Sequence, residues 1–422
     1  MRIVATYENL LPLSQADAEV FVNTAAALAR QPDLEVELLV PRNPASSVAQ
    51  IREYFGVRGP LRITELPSWR GMLATQHLFH AITASRRGKG ADLLYTRNLA
   101  TLTAALQRGH LSALDHYRPW ADQVPPLQPL LRALMGHPRF LGGVIHSELA
   151  RRSYARLGVP EERLTVAHNG WDPARMEPVL DQREARRRAG LAEGAFTIVY
   201  TGRINRQKGL DTVLELARRC PDMRFVLVGS EGEGPIEREA RALANVHIEP
   251  WKRFDEAAPY LYAADVMVVP PSSTPLLQHG NTVLPLKLFL YLAAGRPILG
   301  PDSPDCAEVL DPDDNALLVP PGDLDAATAA LRRLRDDATL RERLGRSARA
   351  KARSCTWDAR ATRIRQFLDL RLAATGAADG RRVPLGEWKV GRWLGESGRW
   401  LAWAASHGSL TAPAQNVLKG GS

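Results

Sequence analysis

Cysteine is scarce in this chain. Among 422 residues there are three, Cys220, Cys306 and Cys355, far apart and odd in number. They exclude a disulfide framework and a clustered zinc site, and they point to a reducing compartment. Long apolar runs are missing too. No window of about eighteen residues is both apolar and uncharged, so no transmembrane helix is expected. The opening residues, Met1 to Tyr7, lack the apolar stretch and cleavage site of a secretory signal and read as a strand. A cytoplasmic protein is the expectation. Zinc-finger spacing, aromatic RNA-binding strands and basic repeats are also missing, which argues against nucleic acid as a partner. No repeat of short fixed period and no long low-complexity tract occurs.

What is present is an ordinary globular composition with an excess of base. Apolar residues make up 45% of the chain, as in a folded domain. The length suffices for two cores. Lys and Arg number 55 against 46 Asp and Glu, a net charge of +9. That favours anionic partners such as nucleotide phosphates or lipid headgroups. Much of the excess falls between Arg332 and Arg371, on what reads as a solvated helical face.

Short apolar strands alternate with longer amphipathic helices. Strands are expected at Arg2–Thr6, Glu35–Val40, Leu93–Tyr95, Gly143–His146, Phe196–Tyr200, Phe225–Val228, Val246–Glu249, Val266–Val269, Pro297–Leu299 and Ala316–Val319. Helical patterns at Asp17–Arg30, Glu148–Leu157, Asp211–Arg219 and Ala326–Leu334 lie between them. This alternation predicts parallel sheets flanked by helices, an α/β class. The strands form two sets, so two doubly wound domains are expected, spanning 1–176 and 177–370, with a tail at 371–422. The charged stretch Pro178 to Ala189 reads as the linker. Ligand binding is expected at the carboxyl ends of the strands.

The tail is rich in tryptophan. Trp388, Trp393, Trp400 and Trp403 alternate with Arg381, Arg382, Lys389, Arg392 and Arg399. Such a segment reads either as an interfacial contact with an anionic membrane or as a packed element. Gly391, Gly395 and Gly398 weaken a free helix by about 1 kcal/mol each relative to Ala.

The richest stretch is Val199-Tyr200-Thr201-Gly202-Arg203-Ile204-Asn205-Arg206-Gln207-Lys208-Gly209. An apolar strand ends in a Gly turn, and Arg203 and Lys208 follow before the helical pattern from Leu210. Two cations near a helix N-terminus suit an anion such as a diphosphate. Two solvated loop cations are the plainer alternative.

This stretch resembles the donor-binding segment of family 4 glycosyltransferases, which have the GT-B fold. Further resemblances follow in the family's order. They are Val166-Ala167-His168-Asn169-Gly170-Trp171-Asp172, Phe225 to Gly232, Pro285 to Ile298, and Asn315 to Gly322. The resemblance implies two Rossmann-like domains facing a cleft. The first would be the acceptor side and the second would bind the nucleotide-sugar, with a C-terminal helix returning to the first domain. It implies that Arg203 and Lys208 hold the diphosphate of a nucleotide-sugar, with Gly202 and Gly209 letting the backbone approach. Amides of Thr282, Val283 and Leu284 would meet the distal phosphate, and Glu231 and Arg253 would flank the nucleoside by position. No cofactor or metal is expected, since the two cations offset the leaving charge.

The chain departs from that pattern in two places. The family carries two Glu residues, the second contacting the donor ribose. Here Thr282 and Leu290 stand at those positions, and neither supplies a carboxylate. A Gly-Gly pair after the first strand is replaced by Ala16 and Asp17, and Asp17 is expected to cap the following helix. In the first domain, His116 resembles a strand-end His that faces the transferred sugar and is the candidate catalytic residue. A packed loop His is the alternative. Arg97, in Tyr95-Thr96-Arg97-Asn98, would line the acceptor side. Ser147-Glu148 reads as a helix cap, and Lys287 matches the family without an assigned role.

The implied activity is transfer of a sugar, with retention, from a nucleotide diphosphate-sugar to a lipid-linked or polysaccharide acceptor. The loss of both Glu supports a rival: a catalytically silent GT-B protein acting as a partner or scaffold. A sugar phosphorylase on the same fold is a third alternative, which no residue selects.

Overall fold

The computed structural model describes residues 1–69, 73–277 and 284–375. The Trp-rich tail, Thr282 and Val283 fall outside the described residues. The chain divides into two compact units. Of the described residues, one holds Met1–Gly170 and the helix Trp357–Thr375, and the other holds Trp171–Thr356.

The first unit is built on β1 (Arg2–Thr6), β2 (Glu35–Pro41), β3 (Arg62–Leu66), β4 (Leu93–Thr96), β5 (Ser112–His116), β6 (Phe140–Ile145) and β7 (Leu164–Val166). Their order in the sheet is β3-β2-β1-β4-β5-β6-β7, and every pairing is parallel. Helices on both faces bury such a sheet, so its strands are continuous apolar runs rather than alternating ones. β4 and β6 accordingly have no exposed position. The helix Ala16–Ala29 buries nearly all of its length because Ala and Val fill every side of it.

The last described helix, Trp357–Thr375, returns to this unit. It packs on Ala16–Ala29 and on β6. Gly142 of β6 makes room for it, since a Cβ there would stand 2.4 Å from Cζ of Phe367. The returning helix was expected. The division differs in detail from 177–370, because it falls at Gly170 and Trp171 and assigns 357–370 to the first unit.

The second unit contains β8 (Thr197–Thr201), β9 (Arg224–Ser230), β10 (Val246–Pro250), β11 (Val266–Val268), β12 (Ile298–Pro301) and β13 (Ala316–Val319). The order is β10-β9-β8-β11-β12-β13, again wholly parallel. The chain enters and leaves this unit side by side. Trp171 forms a parallel bridge with Thr356, and its indole N–H donates to the Ala352 carbonyl at 2.8 Å.

The stretch expected to be a linker is instead part of this unit. Gln182–Arg188 is a helix capped by Asp181. Ala185 is fully buried, and the Arg186 guanidinium reaches Asp265 at 2.6 Å. One inward Ala and an ion pair hold it, so its sequence shows charge without an apolar period. No described helix is long and apolar enough to cross a membrane.

Candidate functional site

In each sheet the strand order reverses direction once, between β1 and β4 and between β8 and β11. Open α/β sheets bind ligands beyond the carboxyl ends of the strands at such a point. The Gly202–Gly209 stretch leaves β8 there.

Two glycines make this turn tight. Gly202 and Gly229 both have φ of +128°, and a Cβ on Gly229 would lie 2.4 Å from the Gly202 carbonyl oxygen. The turns after β8 and β9 thus touch backbone to backbone, and the Gly202 N–H donates to Val228 at 2.9 Å. The next turn, Arg206–Lys208, is capped by the Asn205 side chain, which accepts from the Lys208 N–H at 3.1 Å. Gly209 (φ +74°) then starts the helix Leu210–Arg219, and a Cβ on it would be 2.6 Å from Ser272 Cβ. The Tyr200 hydroxyl donates to the Arg203 carbonyl at 2.9 Å. The buried Tyr291 hydroxyl accepts from the Thr201 N–H at 2.8 Å. That last bond ties the helix Leu286–Ala294 to the end of β8.

Cations gather on this frame. Lys287 places its Nζ 3.6 Å from the centroid of the Tyr200 ring and 2.7 Å from where a Gly202 Cβ would be. Burial, and then the charge of Lys208, pushes its pKa well below the usual lysine range. Arg203, about half exposed, pairs with Glu231 at 3.5 Å. Arg206 pairs with Glu239. The structure therefore brings Gly202, Arg203, Lys208 and Gly209 together, with Glu231 as the counter-charge of Arg203.

The remaining donor-side candidates are placed differently. Leu284 is fully buried in the apolar core, and Leu290 is half-buried against that same core. Their side chains serve packing. Arg253 is the N-cap of the helix Phe254–Ala263, its N–H donating to Glu256 at 3.0 Å. Two Asp-x-Asp runs lie in this unit, and both have structural work. Asp311 accepts from Asn315 at 3.1 Å and Asp313 pairs with Arg333 at 3.3 Å. Asp323 caps a helix through the Ala326 N–H at 2.8 Å, and Asp325 pairs with Arg219 at 2.5 Å.

The reversal point of the first sheet is chemically different. Arg97, after β4, pairs with Asp17 at 3.4 Å and donates to its carbonyl at 2.9 Å. Tyr7, after β1, donates to the Asp17 carboxylate at 3.0 Å. The Arg97 guanidinium also lies 5.8 Å from the Tyr7 ring centroid and 5.2 Å from that of Tyr117. Asp17 is not the helix cap. Gln15 holds that position, and Asp17 sits in the first turn, where its carboxylate meets Arg97. Ser147 does cap its helix, accepting from the Ala150 N–H at 3.2 Å.

His116 ends β5 and is buried. Its Nδ1 lies 2.6 Å from the Tyr154 hydroxyl and 3.0 Å from the Arg118 carbonyl oxygen. Burial and then Arg97 lower its pKa to about 3. The imidazole is therefore neutral at physiological pH and held by Tyr154.

Beside it is a cluster that sequence reading missed. Asp115 accepts from His146 Nε2 at 2.5 Å, from Arg360 at 2.7 Å and from the Tyr95 hydroxyl. Arg360 also donates to Thr24 at 3.0 Å and to the carbonyls of Ala167 and His168. All four side chains are buried. The available signal was Asp115 itself, a carboxylate inside an apolar strand. Arg360 was read as part of a solvated face and instead clasps the returning helix.

Comparison with known proteins adds what the chain is similar to. Residues 195–337, within the second unit, match the model of the group 1 glycosyl transferases. The chain is 28% identical over 257 residues to a D-inositol 3-phosphate glycosyltransferase of Thermomonospora curvata, covering 55% of this chain and 56% of that protein. It is 31% identical over 157 residues to the lipopolysaccharide core biosynthesis glycosyltransferase LpsD of Rhizobium meliloti, covering 36% and 42%. The chain thus spans about half the length of the curated relatives it matches. Among solved structures it resembles HepE of Anabaena in complex with UDP. The TM-score is 0.67 at 16% identity, over 88% of this chain and all of that one. The two parallel-sheet domains are those of the GT-B fold.

Proposed function

We propose that this protein transfers a sugar from a nucleotide diphosphate-sugar to a lipid-linked or glycan acceptor, with retention and without a metal or cofactor. The carrying observation is the gathering of Arg203, Lys208 and Lys287 around the Gly202 turn, at the reversal point of the second sheet. A departing nucleotide diphosphate accumulates negative charge there, and preorganised cations stabilise it with little reorganisation. Arg203 offers a planar fork to two oxygens, and the Gly202 and Gly209 turns let backbone approach the phosphates. In the first unit, the neutral His116 is the candidate to hydrogen-bond the transferred sugar, with Arg97 on the acceptor side. The names of relatives, a lipopolysaccharide core biosynthesis glycosyltransferase and a phosphatidyl-myo-inositol mannosyltransferase, support a lipid-linked or glycan acceptor.

A screen of UDP-, GDP- and ADP-sugars tests this reading. Nucleotide release is followed with and without EDTA. Sugar-dependent release that survives EDTA is the expected outcome, and activity that vanishes and returns with manganese contradicts the metal-free step. One observation favours a second reading, a silent scaffold: Leu290 is given to core packing where the family holds the ribose. Binding without release selects it.

The tail would bring the protein to an anionic surface, with about 1 kcal/mol per nearby Lys or Arg. Truncation after Ala378 is expected to abolish co-sedimentation with anionic liposomes and leave the melting temperature unchanged. Unaltered sedimentation refutes it.

A further inference from the structure

Lys287 is in an unfavourable place for a lysine. It is the second residue of the helix Leu286–Ala294, where the partial positive charge of the helix end already repels a cation. Its ammonium is turned under the Gly202 turn, onto the Tyr200 ring and beside Lys208. Among the described residues no carboxylate pairs with it. Contact with an aromatic face favours the ammonium, while desolvating it near a like charge works against it. The arrangement concentrates positive charge under the Gly202 turn.

We propose that Lys287 is a third cation of the diphosphate site, binding the phosphoryl group from the Gly202 side while Lys208 binds it from the helix side. The proposal rests on the nucleotide-diphosphate reading above. It accounts for three observations together. Gly202 is required by its φ of +128°, and the missing Cβ leaves the space that the Lys287 ammonium occupies. Tyr200 and Tyr291 are buried with their hydroxyls spent on Arg203 and Thr201, so the ring of Tyr200 is free to carry the amine. The chain has Thr282 and Leu290 where a ribose-binding carboxylate would be, so recognition shifts from the ribose to the phosphates.

A further consequence is measurable. The groups facing Lys287 are Lys208, the Tyr200 ring and Tyr291, with the Arg203–Glu231 pair on the same turn. Among the described residues these groups bring no negative charge to Lys287, because burial raises both tyrosine pKa values and Glu231 is engaged with Arg203. Burial and Lys208 lower the Lys287 pKa; an arriving diphosphate raises it again, so binding is expected to be linked to proton uptake.

The test is calorimetry on the full chain with UDP, GDP, inorganic pyrophosphate and the free nucleosides. It is run at pH 8 in two buffers of different ionisation heat. Wild type is expected to bind diphosphates and to take up protons. Lys287→Met should bind them about tenfold to a hundredfold more weakly, without proton uptake and with nucleoside binding unchanged. If Lys287→Met binds diphosphates as wild type does while Arg203→Ala fails to, the proposal is overturned and the functional reading stands. If wild type binds no diphosphate, the functional reading itself falls. Should Lys287→Met not fold, wild-type binding without proton uptake overturns the proposal.

Discussion

The two sheets reverse direction in the same way, yet the chemistry at their reversal points is opposite. In the first unit Arg97 meets Asp17, and nearby Arg360 meets Asp115, so each cation is answered by a carboxylate of the same unit. In the second, Lys287 feels the charge of Lys208 with no carboxylate paired to it among the described residues, and Arg203 meets Glu231 half in solvent. A doubly wound sheet provides an anion site at this position, and side chains decide whether it is filled from within. An internal carboxylate closes it and stabilises the fold. Its absence leaves binding energy for a ligand.

That contrast can be broken from either side. The largest effect should come from acid. Buried His80 and His146 have pKa values lowered to about 4, and His116 to about 3, chiefly by burial. Their ordinary value is 6.5, so between pH 6.5 and about 4 the unfolded chain binds up to three more protons. Stability then falls on acidification, by up to about 4 kcal/mol per pH unit. Asp115, held low by Arg360 and His146, extends the loss below that range. Urea titrations across pH 4–7 that give a flat midpoint would falsify the buried neutral histidines.

Next comes the clasp. Arg360→Ala leaves Asp115 buried without its main counter-charge and is expected to cost about 3–5 kcal/mol. Chemical denaturation checks it, and a loss below about 1 kcal/mol would mean that the pair is open to solvent. In the second unit, Lys208→Ala or Arg203→Ala should leave stability nearly unchanged. Either should weaken nucleotide-diphosphate binding by about 1.5–3 kcal/mol relative to nucleoside. Equal losses for the two ligands would remove the phosphate assignment. The smallest effect is expected for Leu290→Glu. It returns a carboxylate to the ribose position and should tighten nucleotide-sugar binding by at most about tenfold. Its cost is a partly desolvated acid at the core edge. A folded variant with unchanged affinity for every donor places the ribose elsewhere.

Much of the frame was legible in sequence because parallel strands buried on both faces write themselves as apolar runs. Arg2–Thr6 and Ala316–Val319 were located to the residue, and the other expected strands to within a few. Strands β3, β5 and β7 were not among the expected strands, β5 entering only through the resemblance at His116. β3, Arg62–Leu66, alternates charge with apolar residues near the sheet edge, and β7 has only three residues. Gln182–Arg188 looked like a linker because an ion pair to Asp265 replaces the apolar period. Asp17 looked like a cap because local sequence cannot show Arg97 approaching from a strand eighty residues away.

The sequence by itself determined the class of fold, the Gly-bounded turn after β8 and the two cations that follow it. Each of these is local: strand length, glycine dihedrals and charge are properties of neighbouring residues. Only the tertiary structure decided which charges are answered. Arg360 crosses from the last described helix to neutralise Asp115, and Lys287 comes from a helix beyond β11 to meet the Tyr200 ring under the Gly202 turn. Electrostatic energy depends on distance and burial in space, so a chain can be read for its charges well before it can be read for their balance.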